Sequence, residues 1–503
     1  MRILANKRAL LATATTAALL VAAAAGPASA ELIPPVHGAD TGLTTAQHAE
    51  VAHWFGGTWQ SLADMTAPTG LVADNLCQTP TSGTWTRSGY TSPTDIGAYL
   101  WSTVAATQLG RISRGEADQR IRTTLTTLAG LQRSHGFWLN WYDPATGAVL
   151  TTWPTDGSTV RPFLSTVDNA WLAVGLHVVQ NTMPQFSAQT TRLLSGMDFS
   201  FFYDKFDPAN PSAHPGQMYG GFYTDDNTYT GFHYGTLNTE PRMASYLGIA
   251  QGTVPTDHYW RMYRTLPADW TWQKQIPTGP TVDYDGVQVF EGSYTYRGTQ
   301  LVPTWGGSMF EALMVPLFVP EATWAPNSWG KNHPTYVQAQ IDHGLLDTDY
   351  GVWGFSPSNK PEGGYQAYGV AQIGMAADGY PSDEDNVYWT RTNPPTPAQY
   401  TNGVVTPHAS FLAMPFAPRQ AVTNLETIAA RYPGAFGRYG FQDSVNVQTG
   451  TVSRCVLSLD QGMIAAATAD VLGGGLMQHD FADPAFAAAI RPLIGKETFN
   501  DTP

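Results

Sequence analysis

Twelve stretches of helical periodicity run along this chain, separated by long loops rich in Gly, Pro, Trp and Tyr. The first covers 45–64. TSPTDIGAYLWSTVAATQLG follows, with Ser92 or Thr94 as cap and Gly110 as stop, then ISRGEADQRIRTTLTTLAGLQ, where Ser113 and Glu116 form a capping box. The pattern continues through STVDNAWLAVGLHVVQ, SAQTTRLLSGMDF, TEPRMASYLGIAQ, GGSMFEALMVPL and PTYVQAQIDHGLL. It ends with VTPHASFLAMPF, PRQAVTNLETIAARY, LDQGMIAAATADVL and DPAFAAAIRPLI. Strand alternation is scarce, with GVWGFS and YGGFYT as the short candidates. Twelve helices without a 34-residue repeat predict an all-α chain of six hairpins closed into an (α/α)6 toroid. No Ser/Gly-rich or Pro-rich linker divides the pattern. Residues 44–497 therefore read as one domain, acting as a monomer, behind a loose leader at 31–43.

The first thirty residues join a basic start (Arg2, Lys7, Arg8) to an Ala/Leu/Val run ending in Ala28-Ser29-Ala30. That is the form of a secretory signal peptide cleaved after Ala30, which implies a secreted, extracellular protein. No later stretch is long and apolar enough to span a bilayer. Removing the three basic residues takes the net charge from −14 to −17. Such an acidic chain is a poor partner for nucleic acid or an anionic membrane, and a neutral substrate suits it better. The chain carries 16 Trp, 23 Tyr and 21 Phe against 13% charged residues. Aromatic rings pack cores, but they also line clefts in which the apolar faces of sugars stack. Two cysteines, Cys77 and Cys455, make neither a disulfide scaffold nor a metal cluster with His. No phosphate-binding loop, dinucleotide fingerprint or G-x-S-x-G is present, so no cofactor and no metal are expected.

The chemistry points to two glutamates. PTWGGSMFEALMVPLF (303–318) carries a single charge, Glu311, among Trp305, Met309, Phe310, Leu313, Met314 and Leu317. Gly306 and Gly307 allow a tight turn, Ser308 can cap a helix from Met309, and Pro316 ends it. A desolvated carboxyl without a counter-charge has a raised pKa, as a general acid requires. In GTLNTEPRMASYLGIAQ, Asn238 or Thr239 caps a helix and Glu240 takes its first position, where the helix dipole should keep it ionised. Stabilising a helix is reason enough for a lone Glu there. Beside Glu311 it becomes the ionised half of an acid–base pair. Asp168 and Asp460, each near a helix start, read as caps or sugar-binding groups. Asp143 reads as a loop turn beside Trp141 and Tyr142, and GVWGFSPSNKPEGGYQAYGV as an aromatic loop over a cleft.

Nine segments in order resemble the glucoamylase-like domain of bacterial β-1,2-glucanases and of the middle region of cyclic β-1,2-glucan synthase. They are TSPTDIGAYLWSTVAATQLG, LNWYDPATG, STVDNAWLAVGL, TEPRMASYLGIAQGTVPTDHYW, TWGGSMFEALM, GVWGFSPS, YQAYGV, VVTPHASFLAMPFAPRQAVTNLE and GRYGFQDSVN, spanning roughly 91–462. The resemblance implies an (α/α)6 barrel with its site in a cleft at one end, and its acidic pair falls on Glu240 and Glu311. The chain departs from the family at Thr239, where Asn is common, at Gln442, where synthase-like members have Glu, and in an insertion at 378–402.

These readings lead to a secreted glycoside hydrolase acting on a β-glucan, most simply a β-1,2-linked one, with no cofactor. A transglycosylase on the same scaffold and a non-catalytic carbohydrate-binding protein are the alternatives. A polysaccharide lyase would want positive charge for a uronate, which the acidic composition argues against. Glu311 is expected to be the acid and Glu240 the base. Loops holding Trp141, Asp143, Trp305, Trp353 and Tyr365 are expected to meet on one rim, with Asp168 in reach. A closed toroid brings the first and last hairpins together, so Cys77 and Cys455 are expected to be bridged, against the alternative of two buried thiols.

Overall fold

Each expected helical stretch forms a helix, and side-chain caps mark where six of them begin. In chain order these are α1 (Thr45–Met65), α2 (Pro93–Gln108), α3 (Arg114–Gly130), α4 (Thr166–Thr182), α5 (Ser187–Leu194), α6 (Arg242–Ala250), α7 (Asp257–Arg261) and α8 (Met309–Leu313). They continue with α9 (Glu321–Trp324), α10 (Trp329–Asp342), α11 (Pro407–Ala413), α12 (Pro418–Arg431), α13 (Ser458–Gly473), α14 (Leu476–Phe481) and α15 (Pro484–Ile494). The computed structural model describes residues 42–377, 379–385 and 395–499. The expected signal peptide, most of the expected leader and the centre of the 378–402 insertion lie outside them. The short helices α7, α9 and α14 add to the twelve expected.

Thr44, Ser92 and Ser308 each accept from the N3 backbone N–H, while the N3 side chain reaches back to the cap, completing capping boxes. At Ser113 the hydroxyl accepts from Glu116 N. Helix α10 begins at Trp329, a turn before the expected start, and contains Pro334.

The most buried helices are apolar nearly all round. On α2 almost every residue is buried, α13 is an Ala-rich helix of the same kind, and α4 is buried over most of its length. Small residues let their backbones touch. A Cβ on Gly97 would lie 2.4 Å from the carbonyl of Trp171, and one on Gly175 would lie 2.6 Å from that of Gly97. The Trp101 indole N–H donates to Gly462 O at 2.9 Å, tying α2 to α13. Helix α4 also packs on α6, and α11 packs on both α8 and α13. Arg242 of α6 donates to the carbonyls of Glu311 and Ala312 in α8.

Strands are more frequent than the sequence suggests, but they are short ladders within loops. YGGFYT supplies Met218–Tyr219 and Gly221–Tyr223. GVWGFS forms no strand, and the nearest pairing is at Ser358–Asn359. The strand Asn75–Gln78 pairs antiparallel with Cys455–Leu457 and sets Cys77 opposite Cys455. The two are joined as a disulfide across 378 residues. Among the described residues no helix is long and apolar enough to cross a membrane.

Candidate active site

The two glutamates meet at one cavity of about 840 Å³, lined by Tyr234, Thr239, Glu240, Glu311, Tyr380 and a row of aromatic side chains. Such a volume suits a ligand larger than one monosaccharide. The described lining residues include no Lys or Arg.

Glu311 is buried on the first turn of α8, and the preceding turn is shaped to hold its carboxylate. The Thr304 hydroxyl donates to Oε2 at 2.9 Å, as do Ser308 N at 3.0 Å and Ser308 Oγ at 2.8 Å. Gly306 N–H is shared between Oε1 at 3.1 Å and Oε2 at 3.2 Å. The two glycines make this geometry possible. Gly307 sits at φ +94°, and a Cβ there would lie 2.1 Å from Val370 O. A Cβ on Gly306 would lie 2.2 Å from the Tyr380 ring, which packs flat over it. Burial raises the pKa of Glu311, while the donors from Ser308, Gly306 and Thr304 work against that rise by favouring the anion.

Glu240 has the opposite environment. Helix α6 starts at Arg242, two residues later than expected, with Pro241 as its cap residue and no side-chain cap. Glu240 therefore lies in the approaching turn and gains little from the helix terminus. Its Oε2 is buried with no hydrogen-bond partner. Burial first, and the charge of Glu311 second, push its carboxyl up to about 8. The expectation that the helix dipole keeps Glu240 ionised is thus corrected. Both carboxyls are raised by burial, and Glu311 is the one whose anion is favoured by several hydrogen-bond donors.

Arg242 fixes the relation between the two. Its guanidinium, buried, pairs with Glu321 through Nε and Nη2 at 2.8 Å each. It also donates to Thr239 O at 2.9 Å and stacks on Trp329 at 4.7 Å. Glu321 also accepts from Tyr246 at 2.8 Å and bonds His333 at 3.0 Å. Burial opposes its charge, but Arg242 and His333 hold it down to about 2.

The remaining expected residues divide. Trp305, 39% exposed, lines the cavity. Asp168 accepts from Thr94 Oγ1 at 2.6 Å and Asn140 Nδ2 at 3.1 Å, and its charge reaches Glu240. Tyr365 is 59% exposed, with its phenol in electrostatic reach of Asp460 and Glu240. Asp460 is buried with Oδ2 3.2 Å from His408 Nδ1, and burial, with Asp443 and Asp74 nearby, raises its pKa well above the usual range. Of the residues expected on the rim, Trp305 lines this cavity, while Trp141, Asp143, Trp353 and Tyr365 are not among its lining residues. Trp353 is 2% exposed in the core, its N–H donating to Asn424 Oδ1 at 3.1 Å. Asp143 closes its own turn by accepting from Ala145 N and Thr146 N at 2.7 and 3.1 Å. Trp141 packs against Tyr90 and Trp153 at 5.7 and 5.5 Å. The sequence reading missed Tyr234, Tyr380, Phe232, Trp270 and Trp272, all of which line the cavity. The signal available for the last two was a pair of tryptophans in PADWTWQK, a loop with no period to bury them.

Comparison with known proteins agrees with this architecture. Residues 57–229 match a family described as a protein of unknown function. The curated cyclic β-(1,2)-glucan synthase NdvB of Rhizobium meliloti (strain 1021) is 29% identical over 282 residues, 54% of this chain. The chain spans 8% of the length of that relative. Among solved structures, the endo-β-1,2-glucanase of Chitinophaga pinensis, in complex with sophorotriose and glucose, superposes with a TM-score of 0.61 at 16% identity. The match covers 89% of this chain and 98% of that one. The endo-β-1,2-glucanase of Talaromyces funiculosus, solved with sophorose, gives 0.61 at 14% identity over 92% and 95%. At these identities the likeness speaks for a shared fold. A family model described as "Putative glucoamylase" matches residues 233–483, the part holding both glutamates, and through it the chain belongs to the glucoamylase-like (Glycoamylase) family.

Proposed function

We propose that this protein is a secreted glycoside hydrolase of 44–497, a monomeric (α/α)6 toroid that cleaves a β-glucan, β-1,2-linked by preference. The observation that carries the proposal is one cavity holding two carboxylates with unlike environments, Glu240 with its Oε2 unpartnered and Glu311 held by four donor groups. Glycoside cleavage needs a neutral acid at the leaving oxygen and an anion at the anomeric carbon or its water. Glu240 donates its proton to the glycosidic oxygen. Glu311 supplies the anion through Oε1, the oxygen with the single shared donor. This reverses the roles that the sequence suggested.

The toroid is supported by the succession of packed neighbours α2, α4, α6, α8, α11 and α13, with α13 returning to α2. The cavity wall of aromatic and neutral side chains supports an uncharged glycan over a uronate. The β-1,2 linkage rests on the relatives named above. Incubation with β-1,2-, β-1,3-, β-1,4-, β-1,6- and α-glucans, with products followed by chromatography, tests the reading. Oligosaccharides should be released from the β-1,2-glucan, and release from none of the panel would overturn it. The anomeric configuration of the first product, read by NMR, assigns Glu311 as nucleophile on retention or as base on inversion.

A further inference from the structure

Away from Glu311 the cavity wall becomes a row of exposed tryptophans. Trp305, Trp272 and Trp270 are 39%, 49% and 39% exposed, and among the described residues they are the tryptophans that stand open to solvent. All three line the same cavity as the two glutamates. Their rings follow one another, Trp305 to Trp272 at 6.4 Å and Trp272 to Trp270 at 6.1 Å, with Tyr263 beyond at 5.9 Å. Leaving three indoles in water costs stability that folding does not recover, so their clustering marks a binding surface.

The row is also held rigid from beneath. Directly after Trp272, Gln273 is 2% exposed. Its Nε2 donates to Pro267 O at 2.7 Å and Trp270 O at 3.0 Å, and Tyr294 Oη donates to its Oε1 at 3.0 Å. Gln275 Nε2 donates to Gln372 O at 2.8 Å, fastening the far end of the loop. A buried glutamine used in this way fixes the backbone while both indoles face outward. A platform ordered before binding loses little entropy on binding.

We propose that Trp272 and Trp270, continuing outward from Trp305, are a stacking platform for the sugar units of an uncharged glucan beyond the bond being cleaved. The platform makes the protein bind and cut within chains of several units in preference to disaccharides. This rests on the glycoside hydrolase reading. The occupant is an uncharged glycan because the surface is continuous with the acid–base pair, is apolar and flat-ringed, and has no Lys or Arg among its described lining residues to pair with an anion. Pyranose rings present apolar faces that stack on indole, whereas an apolar peptide would need a closed pocket for its side chains.

The test uses the whole chain and linear β-1,2-gluco-oligosaccharides of two to seven units. In a Trp270→Ala/Trp272→Ala variant, KM for the longest oligomers should rise about ten-fold with kcat nearly unchanged. KM for the shortest cleaved oligomer should move little, and Trp272→Phe should restore part of the loss. Calorimetric binding of the heptamer to Glu240→Gln, with and without the tryptophans, reads the same effect without turnover. If wild type cleaves the heptamer and the double variant keeps its KM, the platform is refuted and the hydrolase reading stands. If Glu240→Gln binds the heptamer through the tryptophans while wild type cleaves nothing, the platform stands and the hydrolase reading fails. Absence of both binding and cleavage overturns both. A matching melting temperature for the variants excludes misfolding as the cause.

Discussion

Under the proposed assignment, the proton of the Glu240–Glu311 pair resides where fewer hydrogen bonds compensate for lost water. Glu311 draws on Thr304, Gly306 and Ser308, and Glu240 Oε2 has no protein donor. Replacing Glu240 by Gln keeps the shape and removes the titrating proton. It should lower kcat on natural glucan by roughly 10²–10⁴-fold while leaving binding largely intact. Its stability has a definite pH signature. A carboxyl raised to about 8 in the folded state from an ordinary value of 4.5 favours the unfolded chain as pH climbs between those values. Glu240→Gln should therefore melt at the same temperature as wild type near pH 4 and above it at pH 7–8, by calorimetry. At this scale the sequence was half legible. The isolation of Glu311 among apolar residues is a local property of 303–318, so its burial could be read. The donors around it depend on how Gly306 and Gly307 turn under Tyr380 and Val370, and the raised pKa of Glu240 depends on burial and on the charge of Glu311, 71 positions away. Neither can be read from neighbours in sequence.

Helix starts position the site because α4 and α8 begin with a serine cap and an acidic residue three positions on, Ser165 with Asp168 and Ser308 with Glu311. These short patterns are local, and their places could be taken from the chain. The start of α6 was misplaced because Arg242, and not a capping hydroxyl, organises it. That arginine reaches across to Glu321, which is distant in sequence and belongs to the short helix α9. Arg242→Met should strand a buried carboxylate and destabilise the fold by about 3–5 kcal/mol, measured by urea denaturation. Glu321→Gln, leaving the guanidinium unpaired, should cost a similar amount. Loss of turnover in both should follow loss of the native state, since neither side chain faces the cavity.

For the molecule as a whole, the ends of the described chain are tied together. Helix α1 packs on α13, and the Cys77–Cys455 bridge joins strands next to the first and last long helices. Cys77→Ser should lower stability by about 2–5 kcal/mol, seen as a lower melting temperature that wild type reproduces in reductant. The helical class and the bridge were legible because both follow from long-range periodicity and the placement of only two cysteines. The rim was not. Trp353 looked like a cleft residue from its aromatic and glycine-rich surroundings, yet it fills the core, whereas Asp143 closes the turn that its loop suggested. Composition cannot tell a buried ring from an exposed one when neither lies on a periodic element, and the same ambiguity hid Trp270 and Trp272.

The location of the proton is tested most directly by the pH dependence of kcat/KM on β-1,2-glucan for wild type, Glu240→Gln and Glu311→Gln. Wild type should lose activity along an alkaline limb centred near pH 8, where Glu240 deprotonates. That limb should be missing from the residual activity of Glu240→Gln and present in that of Glu311→Gln. An alkaline limb that survives in Glu240→Gln and disappears in Glu311→Gln would contradict the assignment and return the acid's role to Glu311.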